Sequence, residues 1–163
     1  AAAQDPVFLV LRDRQSGLPG GVASWLRITP EVGTIEVGHI CIAPRMQRSP
    51  AVTEAMTLMM AWAFDAGYRR CEWKCDALNR PSRRAAQRLG FSFEGVFRNA
   101  AIVKGRNRDT AWFAVTDDDW PALRRAHETW LAPGNFDAGG VQRVALGALT
   151  AGLRVSDDPA LRP

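Results

Sequence analysis

Histidine and cysteine are scarce in this chain, with two and three residues among 163. The two histidines, His39 and His127, stand far apart and show no ligand spacing, so a metal centre finds no support. The cysteines are odd in number and form no CxxC pair, which argues against a disulfide framework and fits a reduced, cytoplasmic setting. No run approaches the roughly 20 apolar residues that a membrane-spanning helix needs. The opening residues lack the basic-then-apolar order of a secretory leader, and no internal repeat is present.

What remains is ordinary globular material. Apolar residues make up 47% and charged residues 23%, with six Trp and seven Phe as bulky core stock. A chain of this length is read first as one domain with its own core. Its 21 basic and 17 acidic residues leave a net charge of +4. Such a balance suits an anionic cofactor and could also serve nucleic acid.

The stretch TIEVGHICIAPRMQRSPAVTEA, Thr34 to Ala55, organises the rest. Ile35, Val37, Ile40, Cys41 and Ile42 predict a strand, with Glu36 and His39 set among them. Pro44 cannot donate to a sheet ladder and ends it. A loop over Arg45 to Pro50 then feeds a helix from about Ala51. Helix-start N–H groups lack intrahelical partners and carry partial positive charge. With Arg45 and Arg48 beside them, this connection reads as a pyrophosphate cradle.

Upstream, Val7–Leu11 and Val22–Ile28 predict two strands joined across the turn formers of Asp13 to Gly21, and Thr29 to Gly33 turns the chain into the central strand. Downstream, Val52, Ala55, Met56, Met59, Met60, Ala63 and Phe64 mark one face of a helix, closed by Gly67. Arg69–Asp76 alternates, with Cys71, Trp73 and Cys75 on one side, as a half-buried strand does. Strand, helix and strand in this order imply a right-handed crossover and local parallel pairing. A short helix over Ser82–Leu89 ends at Gly90. A long strand, Phe91–Val103, bent at Gly95, turns through Gly105, Arg106 and Asn107 into Thr110–Val115. Asp117 to Asp119 are placed to cap a last helix, with Pro121 in its first turn, ending near Leu131. Residues 132–163 show weak periodicity and are expected to add little core and to be partly mobile.

IEVGHICIAPRMQRSPAVTEA, followed by NRPSRRAAQRLGF and a long hairpin, resembles the GNAT N-acetyltransferase superfamily, and within it the branch of ribosomal-protein alanine acetyltransferases (RimJ/RimL-like). The resemblance covers about Val7 to Leu131, an acetyltransferase domain of residues 1–131 followed by the tail. It implies a mixed α/β fold: a mostly antiparallel sheet flanked by helices, with a splayed central strand pair. The implied co-substrate is acetyl-CoA. The loop of the family reads Arg/Gln-x-x-Gly-x-Gly/Ala, and those places are held here by Gln47, Pro50 and Val52. Glycine there lets backbone N–H groups close on a pyrophosphate. Pro50 has no N–H and Val52 is bulky. Arg48, Ser49, Ala51, Val52 and Thr53 keep theirs, so binding is expected with altered geometry. By the same resemblance, strand-edge groups near Ile40 and Ile42 would bond the pantetheine arm. Asn79 would contact the cofactor and Ser82 would sit near the thioester sulfur, although a turn Asn and a helix-capping Ser are the plainer readings of each.

Acetyl transfer to an amine needs a base, and Glu36 stands where many family members place one. The alternative is a strand-face acid in an ion pair. His39 is a second candidate base, against a packed, hydrogen-bonded role. Ser82 is the candidate acid toward the leaving thiolate, and orientation could supply much of the acceleration. No covalent intermediate is needed, so the three cysteines are read as core. The acceptor is an amine, of a protein N-terminus or a small molecule. Two other classes stay open: an acyl-CoA-binding protein without turnover, and a nucleic-acid binder using Arg69, Arg70, Arg83, Arg84, Arg88, Lys104, Arg106 and Arg108 as a basic face. The family pattern places a strand and two helices ahead of Val7. Only six residues stand there, so the chain is expected to be a shortened copy of the fold. Exposed apolar surface at Val7–Leu11 would then invite self-association, a homodimer included.

Overall fold

The computed structural model of the chain describes residues 5–14 and 16–161. Two compact units are formed, residues 1–71 and 72–163. Six strands and four α-helices lie among the described residues. Those strand pairs whose register is defined, β1 with β2, β2 with β3 and β5 with β6, are antiparallel, and the class is mixed α/β.

In the first unit β1 (Val7–Arg12), β2 (Pro19–Thr29) and β3 (Thr34–Ile42) form a meander. Two bulges shape the β2–β3 pair, and a further register shift in the β1–β2 pair falls between Leu11 and Arg12, opposite Gly20. Between Leu26 and Thr29 strand β2 carries one extra residue, where Arg27 adopts φ +49°. The extra residue of β3 falls between Gly38 and Cys41, where His39 adopts φ +48°. A bulge shifts the alternation of side chains by one position. Ile35 and Val37 before it, and Ile40 and Ile42 after it, therefore share one face. Cys41 moves to the other face and is exposed, which corrects its reading as core. The bulge in β2 is strapped by Asp5, whose carboxylate accepts the N–H groups of Arg27 (3.1 Å) and Ile28 (3.2 Å).

A short 3-10 turn, Pro44–Met46, leads from β3 into α1 (Pro50–Asp65). Met56, Met59, Met60 and Ala63 are buried as their spacing requires, and Thr53 and Thr57 join them. Thr57 tolerates burial because its hydroxyl donates to the Thr53 carbonyl at 2.8 Å. Trp62 of α1 packs on Trp25 of β2, ring centroids 5.4 Å apart. The helix ends in a Schellman motif: Gly67 (φ +89°) donates to Phe64 O and Tyr68 to Ala63 O.

β4 (Arg70–Asp76) carries the chain into the second unit, where the strand order is β4–β6–β5. Cys71, Trp73 and Cys75 are its buried side. After it come α2 (Arg80–Arg88), β5 (Ser92–Val103), β6 (Arg106–Thr116), α3 (Trp120–Leu131) and α4 (Leu146–Ala151). The hairpin turn lies one residue earlier than its sequence suggests. Lys104 (φ +51°) and Gly105 (φ +73°) form it between the paired Val103 and Arg106, with the two positive φ values of a type I′ turn. Asp119 occupies the cap position of α3 without capping it; its carboxylate takes Thr116 N–H and Oγ–H, at 3.1 and 2.8 Å.

The tail adds more core than its composition suggests. Leu146, Thr150 and Asp158 have no exposed surface. Asp158 lies 75 residues from its partner Arg83, an interaction that no local pattern announces.

Candidate active site

The connection from β3 to α1 is built by contacts inside the first unit. Met46 is buried, and it fits because residue 20 is glycine: a Cβ there would fall 1.5 Å from Met46 Sδ. The Ala43 N–H donates to Gly20 O at 2.8 Å, and the Arg45 guanidinium donates to Pro19 O. Gln47 Nε2 donates to Ile42 O at 2.9 Å, so this side chain and that carbonyl hold each other. Ser49 is the N-cap residue, yet its hydroxyl donates backward to Met46 O at 2.7 Å. Arg48 stands between them, exposed, with φ +61°. Left-handed backbone is costly for a residue with a Cβ, and here the surrounding bonds impose it.

Of the donors expected at this point, α-helical geometry leaves Ala51 and Val52 without an i−4 carbonyl. Thr53 is the first residue able to bond back, to Ser49. Pro50 occupies the first helical position, where its missing N–H costs least. Of the groups expected at a pyrophosphate, the exposed Arg48 side chain and the first turn of α1 stand at this connection. Arg45 is committed to β2.

Glu36 and His39 lie on the face of the meander opposite Trp25. Glu36 is 3% exposed, and its Oε2 accepts from Arg27 Nη1 at 2.6 Å. A Cβ on Gly38 would press on Leu26 Cδ2 at 2.8 Å but would meet Glu36 Oε1 only at 3.5 Å, an ordinary contact, so glycine here makes room for Leu26. His39 is exposed; its Nδ1 lies 2.8 Å from Ser24 Oγ and its ring stacks on Phe8 at 5.4 Å. Ser24 also donates to Gly38 O at 3.2 Å. With its only proton there, Ser24 accepts from Nδ1–H. Ile40 and Ile42 are half-buried on the opposite face.

In the second unit Asn79 is the N-cap of α2, and its Oδ1 accepts the Ser82 N–H at 3.1 Å. Asn79, not Ser82, is thus the capping residue. Ser82 Oγ accepts from the Trp73 indole N–H at 3.0 Å and hydrogen-bonds the Cys75 side chain. Burial pushes the Cys75 thiol up, against the opposing pull of Ser82 and Arg83. Cys71 and Cys75 are buried packing groups.

The basic face expected from sequence loses members. Arg83 is 6% exposed and forms a two-pronged pair with Asp158, both contacts 2.6 Å. Arg88 lies over the Trp130 ring, 5.0 Å from its centroid. Sequence reading passed over Gly20, Ser24 and Arg27. A buried serine within the apolar run VASWLRI is a visible signal for Ser24; the other two depend on bulges and contacts that composition does not show.

A family model described as Acetyltransferase (GNAT) domain matches residues 1–92. A crystal structure of a GCN5-related N-acetyltransferase from Brucella melitensis is 50% identical, with TM-score 0.89, covering 92% of this chain and 68% of that one. Another, described as a probable acetyltransferase of the GNAT family from Chromobacterium violaceum, is 41% identical, with TM-score 0.71, over 74% of this chain and 61% of that one. A ribosomal-protein-S5-alanine acetyltransferase from Vibrio fischeri shares the fold at 22% identity and TM-score 0.61, over 71% of this chain and 63% of that one. No curated protein matches the sequence. The chain belongs to the GNAT acetyltransferase family. Its class of chemistry is acyl transfer, and its fold is the mixed, mostly antiparallel α/β fold of that family.

Proposed function

We propose that the protein moves the acetyl group of acetyl-CoA to a primary amine, of a protein N-terminus or of a small molecule, by direct attack. The observation that carries this reading is the pinned connection after β3. Met46, Gln47 and Ser49 close the loop on itself, so Arg48 and the N–H groups of Ala51 and Val52 are fixed in advance for a pyrophosphate. Ile40, Ile42 and Asn79 are the further contacts proposed for the cofactor. Gln47, Ser49 and Thr53 support the loop.

In the proposed reaction the amine nitrogen attacks the thioester carbonyl and the carbon–sulfur bond breaks. Glu36 takes the amine proton, directly or through water, and Ser82 returns a proton to the departing thiolate. The Ser82 oxygen accepts from Trp73, so its hydrogen would leave the bond with the Cys75 side chain to reach the departing thiolate. His39 is the alternative base. Its Nδ1–H bond to Ser24 would leave Nε2 as the acceptor. Resemblance to the ribosomal-protein branch favours an N-terminal amine.

Acetyl-CoA should raise the melting temperature, with stabilisation of about 2.7 kcal/mol at a hundredfold excess over its dissociation constant. No shift at millimolar acetyl-CoA in an intact fold overturns the assignment. Binding without acetylation of any amine in a broad panel would instead identify an acyl-CoA-binding protein.

A further inference from the structure

The first turn of α2 is moored to β4 by a buried ring. Alternation along β4 puts Trp73 and Cys75 on its buried side. Trp73 is 6% exposed, and its ring packs on Phe91 with centroids 5.8 Å apart. An indole has a single polar group, an N–H that needs an acceptor once buried. Here it donates to Ser82 Oγ at 3.0 Å. The backbone of the same serine is held separately, its N–H donating to Asn79 Oδ1 at 3.1 Å. The Ser82 hydroxyl in turn hydrogen-bonds the Cys75 side chain. The chain of bonds therefore runs from indole N–H to hydroxyl oxygen, and from hydroxyl hydrogen to sulfur.

A thiol sulfur is a weak acceptor, whereas a thiolate is charged and accepts more strongly. Rotation about the Cβ–Oγ bond exchanges one for the other while the oxygen stays where Trp73 holds it. A donor into that oxygen also polarises the O–H and steadies the negative charge left when the proton departs. Resting on the assignment of Ser82 as the acid, we propose that Trp73 is its positioning residue, fixing the oxygen from which the proton passes to the leaving thiolate. As the carbon–sulfur bond breaks, its electron pair goes to sulfur, which takes the Ser82 proton. The half-buried serine recovers a proton from water. The hydroxide so formed is neutralised by the proton that Glu36 took from the amine.

Trp73→Phe keeps a ring in the core and deletes the N–H. With an alanine-initiated peptide and a plain alkylamine as acceptors, it should lower kcat about tenfold and leave KM for acetyl-CoA unchanged. Ser82→Ala should lower kcat by about 10² or more. In the Ser82→Ala background, Trp73→Phe should alter kcat by less than about twofold, because its route is through the hydroxyl. Ser82→Thr, which keeps a hydroxyl, should keep the dependence on Trp73. A merely structural ring would slow both backgrounds or raise KM, and either result overturns the proposal. Full kcat in Ser82→Ala overturns the acid assignment and this inference with it. Full kcat in Trp73→Phe beside a slow Ser82→Ala overturns this inference alone. Magnetic resonance of the parent chain needs no variant at position 73, and so stands even where Trp73→Phe does not fold. CoA should shift the Trp73 indole N–H signal as the hydroxyl turns to its sulfur, and CoA lacking that sulfur should leave the signal in place. No shift, or equal shifts, with both ligands bound would overturn the proposal.

Discussion

Glu36 shows how one side chain can carry two readings at once. It is buried, and Arg27 Nη1 holds its Oε2 at 2.6 Å. Both the proposed base and a plain ion pair fit that description. Substitution separates them, because Arg27 is 59% exposed and water can replace its partner. Glu36→Gln should lower turnover by about 10² to 10⁴ while acetyl-CoA affinity stays near that of the parent. Steady-state rates measured beside a binding titration decide the matter. Equal turnover would return Glu36 to a structural role and move attention to His39.

Elements here are joined by contacts that are small in number and hard to replace. The turn after β3 depends on Met46 occupying the space that Gly20 leaves. Gly20→Ala should cost about 1–3 kcal/mol through overpacking and weaken acetyl-CoA binding by displacing residues 44–49. Adding Met46→Ala should recover part of the affinity lost, and a double-mutant cycle on the dissociation constants reads that coupling. Purely additive losses would show that the two sites do not communicate.

The C-terminal segment is tied to α2 by the Arg83–Asp158 pair, in which Arg83 Nη1 also donates to Ala77 O at 2.7 Å. Taking away one buried partner leaves an uncompensated charge. Asp158→Ala should therefore lower unfolding free energy by about 3–5 kcal/mol in urea titrations. A loss below 1 kcal/mol, on the order of an exposed pair, would mean the segment contributes little to stability.

At the scale of the whole molecule, pH should act through His127. This residue is fully buried, and its ring nitrogen Nε2 lies 2.9 Å from Leu89 O. A carbonyl only accepts, so Nε2 carries the proton of a neutral ring. Burial is the main cause that lowers its pKa from 6.5; the Leu89 carbonyl opposes this and Arg88 adds to it. In the unfolded chain the ring takes up its proton as pH falls through the ordinary value, while the folded chain resists. Stability from this group is fully present above pH 6.5 and is lost as pH falls from there to the lower folded pKa. The slope reaches at most about 1.4 kcal/mol per pH unit for one proton. Urea titrations across this range should show it, and His127→Gln should flatten it. An equal slope in the variant would assign the effect to other groups.

Much of the fold follows from patterns a few residues long. The period of α1, the alternation of β4 and the stops at Pro44, Gly67 and Gly90 are properties of neighbouring residues, and they predict these elements to within a few positions. The strand, the basic loop and the helix start that make up the connection after β3 were legible in the same way. Local pattern could not say that His39 would be the extra residue of a bulge. That bulge aligns Ile35, Val37, Ile40 and Ile42 on one face and sends Cys41 to the other. Nor could it say that Gly20 would receive Met46, or that a glycine- and alanine-rich tail would bury Asp158 against Arg83. Sequence determines which stretches prefer strand or helix, because backbone propensity and side-chain period act between near neighbours. The tertiary structure decides which oxygens and cations meet, because pairs distant in sequence are chosen only when packing brings their elements together and removes water from between them.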